Sequence, residues 1–133
     1  MVMDTSALVA ILLGEPEQVL FTEAIYAAGT VSMSAASYLE AAMIIDRRVE
    51  APHRANLDTT LEYFEIRIEP VTKEQARVAR RAFQEFGKGV HPARLNFGDC
   101  FTYALAKVKG EKLLFKGNDF SQTDLVAAVK PLQ

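Results

Sequence analysis

Residues 1–6 of this 133-residue sequence are Met1-Val2-Met3-Asp4-Thr5-Ser6, and an apolar run over residues 7–13 follows directly. This stretch predicts a very short apolar strand that ends at Asp4 and leads straight into a helix. Asp4 would then lie at the carboxyl end of a strand, and in an open parallel sheet ligands bind at that edge. Asp4 is therefore the first candidate for a functional side chain.

Outward from this stretch, strands and helices alternate along the chain. Further strands are predicted at residues 30–33, 66–71 and 113–115, and further helices at 16–28, 34–49, 57–64, 72–86 and 99–109. Ser34 and Thr72 are the predicted N-caps of two of these helices. Residues 125–129 fit either a last edge strand or a helical turn. The alternation predicts one domain over residues 1–133, an α/β fold whose parallel sheet of four to five strands has helices on both faces.

Apolar residues at helical spacing predict which faces of the helices are buried. In the helix over 34–49 the inward residues are Leu39, Ala42, Met43, Ile45 and Val49. In the helix over 72–86 they are Ala76, Ala79, Phe83 and Phe86, and in the helix over 99–109 they are Phe101, Ala104, Leu105 and Val108. The basic residues of the 72–86 helix, among them Arg77, Arg80 and Arg81, are expected on its outer side.

Composition and charge exclude several classes of protein. The net charge of −2 argues against a bulk electrostatic binder of nucleic acid, although basic residues concentrate between positions 77 and 116. No apolar run approaches the roughly 18 residues of a membrane span, and no signal peptide is visible, so a cytoplasmic protein is expected. The single cysteine, Cys100, fits a reducing cytosol, and two isolated histidines, His53 and His91, argue against structural zinc.

Three more acidic residues, Glu40, Asp99 and Asp119, follow predicted strands, and all four acids also have a local explanation. Asp4 fits a helix N-cap, and Glu40 fits a capping box with Ser37. Asp99 fits a first-turn acid favoured by the helix dipole, and Asp119 fits an Asx-turn. Against these explanations, Glu40 and Asp99 have apolar neighbours in the sequence, and a carboxylate in apolar surroundings needs a partner.

Taken together, the four acids fall at or just beyond successive strand-to-helix junctions. In a parallel sheet such junctions lie along one edge, so the four side chains are expected to gather there. Clustered carboxylates repel one another, and a bound cation neutralises them. Ligation by oxygen alone favours Mg²⁺, with Mn²⁺ as a substitute. The sequence therefore predicts a centre for a divalent metal.

With these positions in place, the chain resembles PIN domains, and specifically the VapC-type toxins of bacterial and archaeal toxin–antitoxin pairs. The resemblance covers essentially the whole chain. Its carriers are Met3-Asp4-Thr5-Ser6-Ala7, residues 34–40, Leu95-Asn96-Phe97-Gly98-Asp99-Cys100 and Leu113-Leu114-Phe115-Lys116-Gly117-Asn118-Asp119-Phe120. One position departs from the family pattern. Many relatives carry two acids in the last segment, two residues apart, and here Gly117 replaces the first, which argues against a complete second metal site.

The resemblance implies a three-layer α/β/α sandwich and an endoribonuclease that uses Mg²⁺ or Mn²⁺. It also implies an RNA substrate, a homodimer and a cognate antitoxin whose tail crosses the active-site groove. In this scheme Asp4 and Asp99 bind the metal directly, and Asp119 binds it directly or through water. Glu40 positions or deprotonates the attacking water.

Five more residues have expected roles around this centre. Ser6 and Asn118 are expected to orient the carboxylates. Lys116, Arg80 and Arg81 are candidates for contacts with the RNA backbone, and a solvated helix face is the alternative for the two arginines.

Two other functions remain open. The first is a catalytically silent PIN-like module that binds RNA or protein, against which the retention of four acids argues, because an unused acidic cluster costs stability. The second is a small phosphohydrolase with Asp4 as its nucleophile. Such enzymes often need a second aspartate two residues later, and position 6 is a serine.

Overall fold

A parallel sheet lies at the centre of the computed structural model, which describes residues 1–130. Within that part of the chain the named strands are β1 (Val2–Met3), β2 (Ser32–Ser34), β3 (Arg67–Glu69) and β4 (Leu113–Leu114), in the spatial order β3-β2-β1-β4. All neighbouring pairs are parallel, with Val2 opposite both Ser32 and Leu113. The strand that ends at Asp4 is therefore an inner strand, as the prediction requires.

Helices connect these strands and begin at the predicted caps. They are α1 (Thr5–Leu12), α2 (Gln18–Ala28), α3 (Ala35–Arg48), α4 (Asn56–Tyr63), α5 (Lys73–Phe86) and α6 (Phe97–Lys109), with short 3-10 helices at Ala51–His53 and Phe120–Gln122. The Ser34 side chain accepts a hydrogen bond from Ala36 N at the start of α3, and the Thr72 side chain accepts one from Gln75 N at the start of α5. Within residues 1–130, no helix is both long and apolar enough to cross a membrane.

Successive strand residues point to opposite faces of the sheet, and this alternation creates two apolar cores. Met3 and Leu114 belong to the core formed with α1 to α4. Val2 and Leu113 belong to the core formed with α5 and α6. The predicted three-layer α/β/α sandwich is therefore confirmed.

The segment after the last 3-10 helix extends the sheet at its β4 edge. Leu113 N donates to Val126 O at 2.9 Å, and Ala128 N donates to Leu113 O at 2.8 Å, so Ala127 forms a parallel bridge with Leu113. Asp124 anchors the segment by accepting a hydrogen bond from the Tyr103 hydroxyl at 2.6 Å. Of the two alternatives for residues 125–129, the edge strand is correct and the helical turn is wrong.

The helix faces differ from the prediction in one systematic way. Five residues that were expected inside are exposed: Leu39 (59%), Met43 (52%), Ala76, Phe83 (45%) and Val108. The buried stripe of α3 instead consists of Ser37, Ala41 and Ile45, and that of α5 of Gln75, Ala79, Ala82 and Phe86. Small residues in these stripes allow the helices to pack closely against their neighbours, so the larger apolar side chains are turned outward.

Candidate active site

Asp4 is held at the carboxyl end of β1 by hydrogen bonds on both of its carboxylate oxygens. Its side chain is 5% exposed. Oδ2 accepts from Ser6 N at 3.0 Å and from the Ser6 hydroxyl at 2.6 Å, while Oδ1 accepts from the Thr102 hydroxyl at 2.6 Å. The predicted N-cap is thus present. Capping occupies one oxygen only, so the cap does not exclude a functional role for the same carboxylate.

Ser6 links two junctions of the sheet. Its hydroxyl donates to Asp4 and accepts a hydrogen bond from Lys116 N, which follows β4, at 3.0 Å. The side chain of Lys116 turns towards the connection between α1 and α2, where Nζ lies 2.7 Å from Glu15 Oε2 and 3.4 Å from Glu17 Oε2. The orienting role expected of Ser6 is consistent with these contacts. The Lys116 charge is paired within the protein, and its contact with RNA stays a prediction.

Asp99 lies in the first turn of α6 and forms a capping box with Asn96. Asn96 Oδ1 accepts from Asp99 N at 2.9 Å, and Asp99 Oδ2 accepts from Asn96 N at 3.0 Å. These two bonds fix the direction of the Asp99 carboxylate at the start of the helix. Asp99 thus lies in the first turn of its helix, where the helix dipole favours an acid, as its local explanation requires. As with Asp4, this position does not exclude a functional role.

Glu40 reaches the same helix start from the second turn of α3. A Cβ atom added to Gly98 would lie 2.4 Å from Glu40 Oε2 and 2.9 Å from Oε1. The carboxylate therefore rests directly against the Gly98 backbone, next to Asp99, where the positive end of the helix dipole favours a negative charge. A larger residue at position 98 would not leave room for it.

The pKa of the Asp99 carboxyl reflects both its burial and the charges of the other three acids. Burial raises the pKa of the Asp99 carboxyl from 3.8 to about 7. The backbone hydrogen bond from Asn96 opposes this rise in pKa, whereas the charges of Asp4, Asp119 and Glu40 add to it. Asp4, Glu40 and Asp119, which come from three other parts of the chain, thus each lie close enough to Asp99 to repel its charge.

Asp119 lies in the exposed turn after β4. Gly117 in this turn has a φ of 102°, and Asp119 precedes the 3-10 helix without a side-chain capping bond. The hydrogen bond that the structure gives Asn118 is made by its backbone carbonyl, which accepts from the Ser121 hydroxyl at 2.7 Å. The orienting role of the Asn118 side chain therefore stays a prediction.

The residues at this edge fit a hard divalent cation in charge and donor type. As they stand, no three acidic, His or Cys side chains of residues 1–130 are arranged to hold one ion. However, Asp119 is exposed and Glu40 is only partly buried, so both side chains have room to change rotamer beside the fixed carboxylates of Asp4 and Asp99. All the donors are carboxylate oxygens, which Mg²⁺ and Mn²⁺ prefer, and a cation would relieve the repulsion at Asp99.

Thr102 is the site residue that the sequence prediction missed. It lies one turn after Asp99 on α6, is 1% exposed, and bonds to Asp4 as well as to the Ser37 hydroxyl at 2.9 Å. Its spacing of three residues from Asp99, on an otherwise apolar buried face, is the signal that points to it.

An apolar surface borders the acids, and we call it the apolar flank. Its members are Leu39, Met43, Phe83, Phe97 and Phe101. Phe97 is 80% exposed and stands between two hollows, one of about 430 Å³ against α3 and one of about 410 Å³ against α5. Arg80 lines the second hollow, and Arg81 is exposed on the same helix, so the solvated-face alternative agrees with both. Their contact with RNA stays a prediction.

Comparison with known proteins identifies relatives over nearly the full length. A model of the PIN domain matches residues 1–126. The chain is 47% identical over 131 residues to Ribonuclease VapC30 of Mycobacterium tuberculosis, an alignment that covers 98% of this chain and 100% of the relative.

Two solved structures share the fold. The crystal structure of Mycobacterium tuberculosis VapC20, titled a sarcin-ricin loop cleaving toxin, matches with a TM-score of 0.77 and 21% identity over 98% of each chain. A toxin–antitoxin complex from Klebsiella pneumoniae matches with a TM-score of 0.71 and 17% identity over 97% of this chain and 98% of the other.

The raised pKa of Asp99 makes a prediction about stability in EDTA. The unfolded carboxyl titrates near 3.8 and the folded one near 7, so between these values the folded state binds more protons. Raising the pH from 5 to about 8 should therefore lower the Tm of the wild type relative to that of Asp99→Asn. Melting both proteins by circular dichroism across this range checks it, and a wild-type Tm that stays constant or rises with pH relative to that of Asp99→Asn contradicts it.

Proposed function

The chain belongs to the PIN domain family and, within it, to the VapC ribonucleases, and from this premise we propose that it is a Mg²⁺-dependent endoribonuclease and the toxin of a toxin–antitoxin pair. The observation that carries the proposal is the nearness of Asp4, Glu40 and Asp119 to Asp99 at one sheet edge, where burial raises the pKa of Asp99 and the three neighbouring charges add to that rise. An acidic site of this kind suits hydrolysis of a phosphodiester with the help of a cation.

In this proposal the acids divide into metal ligands and a base. Asp4 and Asp99 bind Mg²⁺ directly, and Asp119 binds it directly or through water. When bound, the ion lowers the pKa of water and neutralises the charge that develops on the phosphoryl group. Glu40 orients the attacking water and accepts its proton, and the oxygen of the water forms the new bond to phosphorus. The bond from phosphorus to the ribose oxygen breaks, and that oxygen takes up a proton from the solvent. Ser6 keeps the Asp4 carboxylate in place throughout.

The proposed partners of the chain are a cognate antitoxin and an RNA substrate. The Klebsiella pneumoniae relative in fold was solved as a toxin–antitoxin complex, which supports a cognate antitoxin as the regulator of this chain. The substrate is RNA, with Arg80, Arg81 and Lys116 as the basic residues proposed to contact its backbone.

A homodimer is proposed to form through the apolar flank. Contiguous exposed apolar residues mark sites of association. A two-fold dimer buries the same patch on both subunits, and an aromatic ring that projects beside a hollow is suited to such self-pairing. Phe97 has this form, because its ring stands 80% exposed between the two hollows of the flank.

Replacing Asp4 by Asn should abolish cleavage while the fold is kept. We expect the rate of RNA cleavage in Mg²⁺ to fall by about 100-fold or more, because a metal ligand is lost. Asp46→Asn, the same change at an exposed acid of α3, is the matched control and should retain activity. Cleavage of total RNA with Mg²⁺ and with EDTA measures both effects. Activity that survives in EDTA or in folded Asp4→Asn contradicts the metal mechanism, whereas a folded wild type that cleaves no RNA in Mg²⁺ leaves the silent binding module.

Gly98→Ala should reduce cleavage through Glu40. The added methyl group collides with the end of the flexible Glu40 side chain, so the fold should survive with a small change in Tm, while the carboxylate is displaced. If displacement of Glu40 is the cause, the double variant Gly98→Ala/Glu40→Gln should cleave no more slowly than Glu40→Gln alone. Additive losses in the double variant would contradict this account of Glu40.

Phe97→Asp should convert the dimer into a monomer. A charge at the centre of an apolar contact is desolvated without a partner, and this opposes association. Tyr63→Asp, a change at an aromatic residue that is 71% exposed on α4, is the matched control and should remain dimeric. Sedimentation velocity measures the mass of each. A monomeric wild type, or a dimer that persists in Phe97→Asp, contradicts this interface.

A further inference from the structure

We propose that Thr102 is a positioning residue for the acidic site: its hydroxyl, which is held in turn by Ser37, fixes the Asp4 carboxylate so that a single lone pair of Oδ1 remains for the metal. This inference rests on the proposed function and deepens it, because it assigns to α6 a role beyond supplying Asp99. It stands on the contacts of three buried side chains that come from β1, α3 and α6.

The direction of the hydrogen bonds follows from the number of protons available. Thr102 has one hydroxyl proton, and the contact of 2.6 Å with the Asp4 carboxylate takes it, since bonds to a charged acceptor are the stronger ones. The contact of 2.9 Å between the Ser37 and Thr102 hydroxyls must then have Ser37 as its donor. Thr5 holds the same turn of α3 by donating to Ser37 O at 2.9 Å. The result is a directed relay from Ser37 through Thr102 to Asp4.

Counting acceptor sites shows what this relay does to Asp4. An ionised carboxylate has about four lone-pair sites, two on each oxygen. Oδ2 already accepts from the backbone and from the hydroxyl of Ser6, and Oδ1 accepts from Thr102. One site on Oδ1 is left. Asp4 can therefore offer a cation one oxygen, and the Thr102 hydroxyl sets the direction of its free lone pair.

The location of Thr102 distinguishes this role from ordinary packing. A buried threonine in a helix commonly bonds back to the carbonyl four residues earlier. Thr102 instead bonds to a carboxylate 98 positions away in the sequence. Thr102 and Ser37 are each 1% exposed, so neither hydroxyl is available to bulk water. The two buried hydroxyls therefore form a chain of hydrogen bonds that ends at Asp4.

The test compares Thr102→Val, which keeps the shape and loses the hydroxyl, with Thr102→Ser, which keeps the hydroxyl. The readouts are the Mn²⁺ affinity by calorimetry and the Tm in EDTA. We expect Mn²⁺ binding to weaken by about 10-fold in Thr102→Val, as is usual when a group that orients a ligand is lost, and to return close to the wild-type value in Thr102→Ser. A purely structural threonine would lower the Tm of Thr102→Val and leave the Mn²⁺ affinity of the folded protein unchanged.

The outcomes separate this inference from the proposed function. A wild type that does not bind Mn²⁺ overturns the proposed metal centre and this inference with it. A wild type that binds Mn²⁺, together with a Thr102→Val protein that binds it equally well, overturns this inference alone. If Thr102→Val does not fold, Ser37→Ala decides, because it removes the donor to Thr102 and leaves the Asp4 contact: a several-fold weaker affinity supports the relay, and an unchanged affinity overturns it.

Discussion

The buried negative charge of Asp4 is the constraint on which the site depends. A carboxylate removed from water is costly unless donors surround it, and here the donors come from two separate helices. Ser6 belongs to the start of α1 and Thr102 to α6, while Lys116 N, which follows β4, holds Ser6. Satisfying one charge at the end of an inner strand therefore fixes the relative positions of three elements at the sheet edge.

This arrangement explains why capping and function are not alternatives at Asp4 and Asp99. Each side chain binds the backbone of its own helix start with one oxygen. These bonds hold the carboxylate in one orientation, which an acid meant for a metal requires in any case. A residue pattern that indicates a cap at a strand-to-helix junction is thus also the pattern of a well-oriented ligand.

The nearness of Asp4, Glu40 and Asp119 to Asp99 agrees with the expected cluster, and a shared metal ion stays a prediction. The sequence was sufficient for the order of strands and helices along the chain, because apolar strands give way to helix caps at recognisable positions. It was insufficient for the rotation of the helices. Leu39, Met43 and Phe83 have the spacing of a buried stripe, yet small residues make the close contacts of α3 and α5. Thr102 was missed for a different reason: its spacing from Asp99 marks a polar residue on a buried face, but its partner Asp4 is 98 residues distant, and no local pattern identifies that partner.

The turn after β4 shows how the backbone conformation can limit which residues a site can hold. Gly117 stands where many PIN relatives have an acid, and its φ of 102° is a conformation that side-chain-bearing residues rarely adopt. An acid at this position would therefore carry backbone strain as well as added charge. The shape of the turn thus disfavours a second carboxylate two residues before Asp119, independently of any preference of the neighbouring acids.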